Sequence, residues 1–265
     1  MPLSIPHYLA SSGIQQNSVH FKWDDWSTPP ELAEVNAGLL EKLNAISLRA
    51  ALAFACGSAE WIVYRFTQLC DVTAPWSYLE AAWATVIDTR YVAYGDRTGW
   101  QTYAFKGWDG PIKRPIRNAL NTLEIAFDQL AADYWKDPPV CAVRISMLAC
   151  YVMADPAPYL LWRGTVLDRL QRLYPRDPQD PIGDVVPRHA VDPDIDFDPD
   201  ETEALIRRFL ASLDYKSDLF LSTPEGMLEH IDGEEDLIGQ PYVFSIAEDR
   251  RRRKRSNQGH THEDS

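Results

Sequence analysis

The sequence predicts an all-α protein: a multi-helix bundle of five to seven helices with a short aromatic loop or hairpin and a small acidic C-terminal appendage. Three observations predict it. Apolar residues recur every three or four positions through most of the first 174 residues, which is the helical period. All nine tryptophans lie between Trp23 and Trp162, so the bulkiest core material is confined to that stretch. Charge divides at the same place. Residues 1–174 hold 15 basic and 17 acidic side chains, residues 175–249 hold 5 and 20, and residues 250–265 hold 6 and 2; the segments carry −2, −15 and +4 of a net −13. The expected organisation is a helical body (1–174), a Pro/Asp-rich linker (175–198), an acidic appendage docked on the body (199–249) and a disordered basic tail (250–265).

The elements follow in order. Thr28-Pro29-Pro30-Glu31 has the composition of a helix start, with a capping hydroxyl, proline in the first turn and an acid at the positive end of the dipole. Leu32, Val35, Leu39, Leu43 and Ile46 continue it at helical spacing. From Ser47 to Leu69 the chain is apolar nearly all round, and Ala50, Ala51, Ala53, Ala55, Gly57, Ser58 and Ala59 are small enough for close approach of neighbours; such a helix is central. Trp76 to Tyr94 is a further periodic stretch. The glycines and aromatics from Gly95 to Trp108 suit a structured loop or hairpin, a kind of insertion that often carries function. After Gly110-Pro111, Ile116, Leu120, Leu123, Phe127, Leu130 and Tyr134 step 4-3-4-3-4 until Asp137-Pro138-Pro139. Helices over Val140–Met153 and from Asp155-Pro156 to Leu173 complete the body.

Tyr174 to Ile182 is rich in turn and polyproline formers, as a linker requires. In the appendage, Asp198-Pro199-Asp200-Glu201 opens an amphipathic helix carrying Leu205, Ile206, Phe209, Leu210 and Leu213. Thr223-Pro224-Glu225 starts a short helix through Ile231, and Tyr242–Ile246 reads as extended. The run Arg250-Arg-Arg-Arg-Lys-Arg255 cannot bury itself and reads as disordered.

Composition excludes several classes. With 45% hydrophobic residues the chain can build a core, and Gly (13) and Pro (19) show no collagen period. No stretch reaches the roughly 18 uninterrupted apolar residues of a membrane span, and Met1-Pro-Leu-Ser-Ile-Pro-His7 lacks the basic start of a secretory signal. Cys56, Cys70, Cys141 and Cys150 have neither the close spacing of a zinc knuckle nor that of a redox dithiol. They read as reduced packing residues, and the expectation is a soluble cytoplasmic protein with no cofactor.

Candidate chemistry is sparse. Asp192, Asp194, Asp196 and Glu203 fall at positions 1, 3, 5 and 12 of a calcium loop, but Phe197 stands where the sharp turn needs glycine. The stretch therefore reads as an acid-rich helix start, with no metal site. Glu60, Arg65, Asp71, Glu80, Asp88 and Arg90 are charges within apolar helices, which must pair or line a cleft. The six histidines show no metal-ligand spacing, and there is no nucleophile elbow, Walker loop or dinucleotide fingerprint. Two functional readings result. The first is a non-catalytic module presenting an acidic surface to a basic protein, as immunity-type inhibitors do, with Asp194, Asp196, Asp198 and Glu201 giving the charge and Trp100, Tyr103, Phe105 and Trp108 the aromatic anchors. The second is a metal-dependent hydrolase using Glu60, Glu80 and Asp88, with Arg65 and Arg90 holding an anionic, nucleotide-like substrate. Nucleic acid is an unlikely partner, because the 249 residues before the tail carry −17 and repel a phosphate backbone. An alternative use of the basic run is to fold back and neutralise the acidic segment.

Overall fold

The computed structural model describes residues 5–15, 18–27, 29–91, 104–131, 137–224 and 243–260. Among them are nine helices: α1 (His7–Ala10), α2 (Ala37–Asn44), α3 (Leu48–Arg65), α4 (Thr73–Ile87), α5 (Gly110–Ala131), α6 (Asp137–Val152), α7 (Ala157–Leu173), α8 (Thr202–Ser212) and α9 (Ile246–His260). The all-α expectation holds, with more helices than the five to seven predicted. The described residues form no sheet, only isolated bridges at Ile46–Pro175 and Asp177–Asp180, and none of their helices is long and apolar enough to cross a membrane.

Helix α3 is the axis of the molecule, and all eighteen of its residues are buried. It packs against α4, α5 and α6, and more lightly against α7. Its small residues set those approaches. A Cβ on Gly57 would lie 2.8 Å from the Trp162 ring of α7, so glycine is what lets that indole lie against the helix. Burial of the N-terminus of α3 creates a demand, because its first amides have no partner within the helix. Ser47 Oγ accepts from Ala50 N–H. The Leu48 and Arg49 amides donate to the Pro181 and Ile182 carbonyls at 2.9 and 3.1 Å, and Ser47 N–H donates to the Tyr174 carbonyl. The proline-rich segment expected to act as a linker thus caps the central helix. Gly183 turns it with φ +74°, lying so close to Ser47 that a Cβ would meet the serine at 2.4 Å.

Of three other differences, two have local causes and the third depends on distant partners. The helix expected from Thr28 is divided: Pro30–Leu32 is one 3-10 turn, and α2 starts at Ala37 because Asn36 Oδ1 accepts the Leu39 amide at 2.9 Å. The helix expected to reach Tyr94 ends at Ile87, and Asp88 accepts the Arg90 amide. Residues 250–260 are helical where disorder was expected. Their arginines find carboxylates: Arg250 lies 2.6 Å from Asp184, Arg252 lies 3.0 Å from Asp88, and Arg253, only 7% exposed, pairs with Asp180, Asp184 and Asp249. Asp249 in turn takes both terminal nitrogens of Arg49 at 2.7 and 2.8 Å, so α9 is joined to the start of α3. Leu205, Ile206 and Leu210 of α8 are buried, as are Phe220 and Leu221 beyond it. Residues 225–242 and 261–265, with most of the short helix expected from Thr223, lie outside the described residues; of the segment expected to be extended, residues 243–245 form no strand and Ile246 opens α9.

Candidate functional site

The charges singled out on the helices fall into three places. Glu60, on α3, is fully buried and saturated. It accepts the Tyr8 hydroxyl, the Trp83 indole N–H at 2.7 Å and the Arg188 guanidinium at 2.5 Å. Tyr8 remains protonated, its pKa pushed well up by burial and by the neighbouring Glu60 charge. Asp88 is spent differently, on Arg90 at 2.6 Å and Arg252 at 3.0 Å. Burial pushes its carboxyl upward, but hydrogen bonds and charge from Arg90, with Arg252, hold it far below the usual carboxylate range. Arg65 ends α3, donates to the Ser18 carbonyl and lies over the Phe66 ring. Glu80 is half-buried and has no ion pair among the described residues; burial raises its pKa.

Glu60 and Glu80 therefore lie near one cleft, while Asp88, Arg90 and Arg65 are held elsewhere. Among the described residues no group of three His, Cys, Asp or Glu side chains is placed to hold a metal ion. The four cysteines are free thiols.

The cleft encloses about 430 Å³ between the N-terminal segment, α4, the Arg188–Val191 turn and α8. Arg188 is the residue that sequence reasoning missed. It follows Val185-Val186-Pro187 in an apolar run, and a lone arginine in such a setting is itself a sign of a buried acidic partner.

The acidic stretch is built by a second arginine. Arg169 of α7 donates to three backbone carbonyls, those of Asp192 (2.6 Å), Pro193 (3.3 Å) and Ile195 (3.2 Å). The guanidinium fixes the backbone of the loop and spends its hydrogen bonds there. Asp194, Asp196, Asp198 and Glu201 are all exposed. Asp194 meets His7 Nδ1 at 3.2 Å, and Asp198 accepts the Asp200 amide to start the 3-10 turn before α8. Asp196 and Glu201 have no ion pair among the described residues.

Of the four expected aromatic anchors, only Phe105 is excluded. Trp100 and Tyr103 lie outside the described residues. Phe105 is fully buried, stacked on Phe220 and edge-on to Tyr78 and Trp108; it is core, because the end of the loop folds onto α4, and it offers no contact surface. Trp108 is half-buried, with Lys113 Nζ 5.4 Å from its ring centre. Among the described residues, the large aromatic side chain presented to solvent is Trp26, 96% exposed. Its turn is rigid: Asp24 accepts the Trp26 amide and the Ser27 hydroxyl, and Asp25 accepts the Trp23 indole and the Gly110 amide that opens α5. The sequence signal for it was a tryptophan set among turn-forming polar residues, Asp24-Asp25-Trp26-Ser27. No family model, curated protein or solved structure matches this chain.

Proposed function

We propose that this chain is a non-catalytic binding protein that presents a preorganised acidic loop, Asp194 to Glu201, to a basic protein partner, in the manner of an inhibitor that neutralises a cationic toxin or nuclease. The observation that supports it most is the placement of Arg169. A cation on backbone carbonyls orders the loop without neutralising its carboxylates, so less conformational entropy is lost when a partner docks. Exposed like charges held on one loop steer a cationic partner and raise its association rate, an effect that salt weakens. Trp26, carried on a hydrogen-bonded turn, offers an exposed indole of the residue type found at binding hot spots. The four free thiols suit a reducing, cytoplasmic compartment.

The metal-dependent hydrolase draws no support from the arrangement of its residues, since Glu60 is saturated and Asp88 is held by two arginines. Affinity capture with the full chain as bait, beside the variant Asp194→Asn/Asp196→Asn/Asp198→Asn/Glu201→Gln, tests the reading. A basic partner captured at about 50 mM salt should be retained at least tenfold less by the variant, and less by both at about 300 mM salt. Equal capture by the two chains, or capture indifferent to salt, refutes it.

A further inference from the structure

The cleft behind the N-terminal segment plays no part in that reading. Its volume, about 430 Å³, is that of a small-molecule site. Trp83 and Ile87 of α4, with Leu205, Ile206 and Phe209 of α8, give it an apolar lining. Two guanidiniums enter it from different elements. Arg188 is fixed from behind by Glu60 at 2.5 Å, and Glu60 is itself locked by Tyr8 and Trp83. The Arg188 Nε–H is buried with no acceptor among the described residues, so this guanidinium keeps unused donor capacity. Arg208 stands exposed on α8 at the same cleft, with no ion pair among the described residues. The two are near enough to act on one neighbour: the His189 imidazole is held below its ordinary pKa first by burial and then by the charges of Arg208 and Arg188.

The cleft also holds two acids. Asp192 accepts the Asp194 amide, and both Asp192 and Glu80 are pushed toward their neutral forms by burial. A cavity that disfavours ionising its own acids and holds one arginine in place and a second free selects for a negative head group. The apolar lining selects for the rest of the molecule.

We infer that this cleft is a binding site for a small monocarboxylate with an apolar body, the carboxylate taken by Arg188 and Arg208 and the body lying against Trp83, Ile87 and Phe209. Charge-assisted pairing of a planar guanidinium with a carboxylate is what separates such a ligand from its neutral analogue.

The inference uses none of the carboxylates from Asp194 to Glu201, although Ile195 of that loop borders the cleft, and it is tested on the full chain by calorimetric titration with octanoate, octanol and octylamine. Octanoate should bind at least tenfold more tightly than octanol, and octylamine more weakly than either. Arg208→Ala, a change on an exposed helix face, should bring octanoate down to the level of octanol. Absence of octanoate binding, binding of octylamine as tight as octanoate, or an Arg208→Ala chain with unchanged affinity overturns the inference.

Discussion

The Asp249→Asn substitution tests whether the arginine helix is part of the fold. Asp249 is buried and bridges two buried cations, taking Arg49 through both oxygens at 2.7 and 2.8 Å and Arg253 Nε at 3.1 Å. The amide keeps the shape and removes the charge, leaving two guanidiniums facing a neutral group. Breaking a buried pair by removing one partner costs about 3–5 kcal/mol. Here the lower end applies, because Arg49 also donates to the Ile87 carbonyl and Arg253 keeps Asp180 and Asp184. The loss falls on the docking of α9 rather than on the core helices. Limited trypsinolysis reads it directly, since Arg250, Arg252 and Arg253 are held in ion pairs in the docked helix. When helix opening is fast, cleavage follows the population of the open form, and about 3 kcal/mol corresponds to roughly a hundredfold faster cutting. A variant cut within twofold of the parent rate refutes the reasoning, as does a parent chain already cut at the rate of a free peptide of the same sequence.

Two further outcomes follow from local geometry and charge. Gly57→Ala should destabilise by about 1–3 kcal/mol through overpacking against Trp162, whose indole N–H is fixed on the Val191 carbonyl; Gly164→Ala on α7, with nothing within 4 Å of the new Cβ, should instead stabilise by about 0.5–1 kcal/mol, and urea denaturation of both gives the comparison. Asp218 has its carboxyl raised to about 6 by burial, then by Glu80 and Asp214. A folded value above the unfolded one makes its ionisation unfavourable to folding, a cost that is absent well below pH 4, grows between about pH 4 and 6 and is complete above about 6. Asp218→Asn, whose side-chain oxygen can still accept the Phe220 amide, should therefore raise stability by about 1 kcal/mol at pH 8, after allowance for partial exposure, and change it little at pH 4. Equal effects at the two pH values refute that account.

What could be read in advance was local. The all-round apolar character from Ser47 to Leu69 and the 4-3-4 stepping after Gly110 each depend on neighbours within a helix, and helices formed over Leu48–Arg65 and Gly110–Ala131. The positions that misled depend on partners far along the chain. Residues 174–182 have linker composition, yet their carbonyls answer a demand set by Leu48 and Arg49, more than 120 residues earlier. Glu60 was recognisable as a charge that must be paired, but its cation is Arg188, which no spacing rule connects to it. Phe105 had the composition of an exposed loop and became core only because Tyr78 and Phe220 close around it.

Charge was the property most altered by folding. Summed along the sequence, the acidic segment and the basic tail are separate objects; in the structure Arg250 and Arg253 lie on Asp180 and Asp184, so the fold itself neutralises the start of that segment. The loop from Asp194 to Glu201 is treated in the opposite way, with the guanidinium that reaches its start, Arg169, committed to backbone carbonyls. Keeping those carboxylates in water makes the arrangement tolerable: two unit charges ~8 Å apart at the dielectric of water repel by only ~0.5 kcal/mol, a small cost beside three charge-assisted hydrogen bonds to the loop backbone. A cationic surface closing over the loop would exclude that water and strengthen its attraction to every carboxylate at once. Among the described residues, Asp196 and Glu201 of this loop have no ion pair, so an outside cation meets carboxylates that the protein's own arginines leave unpaired.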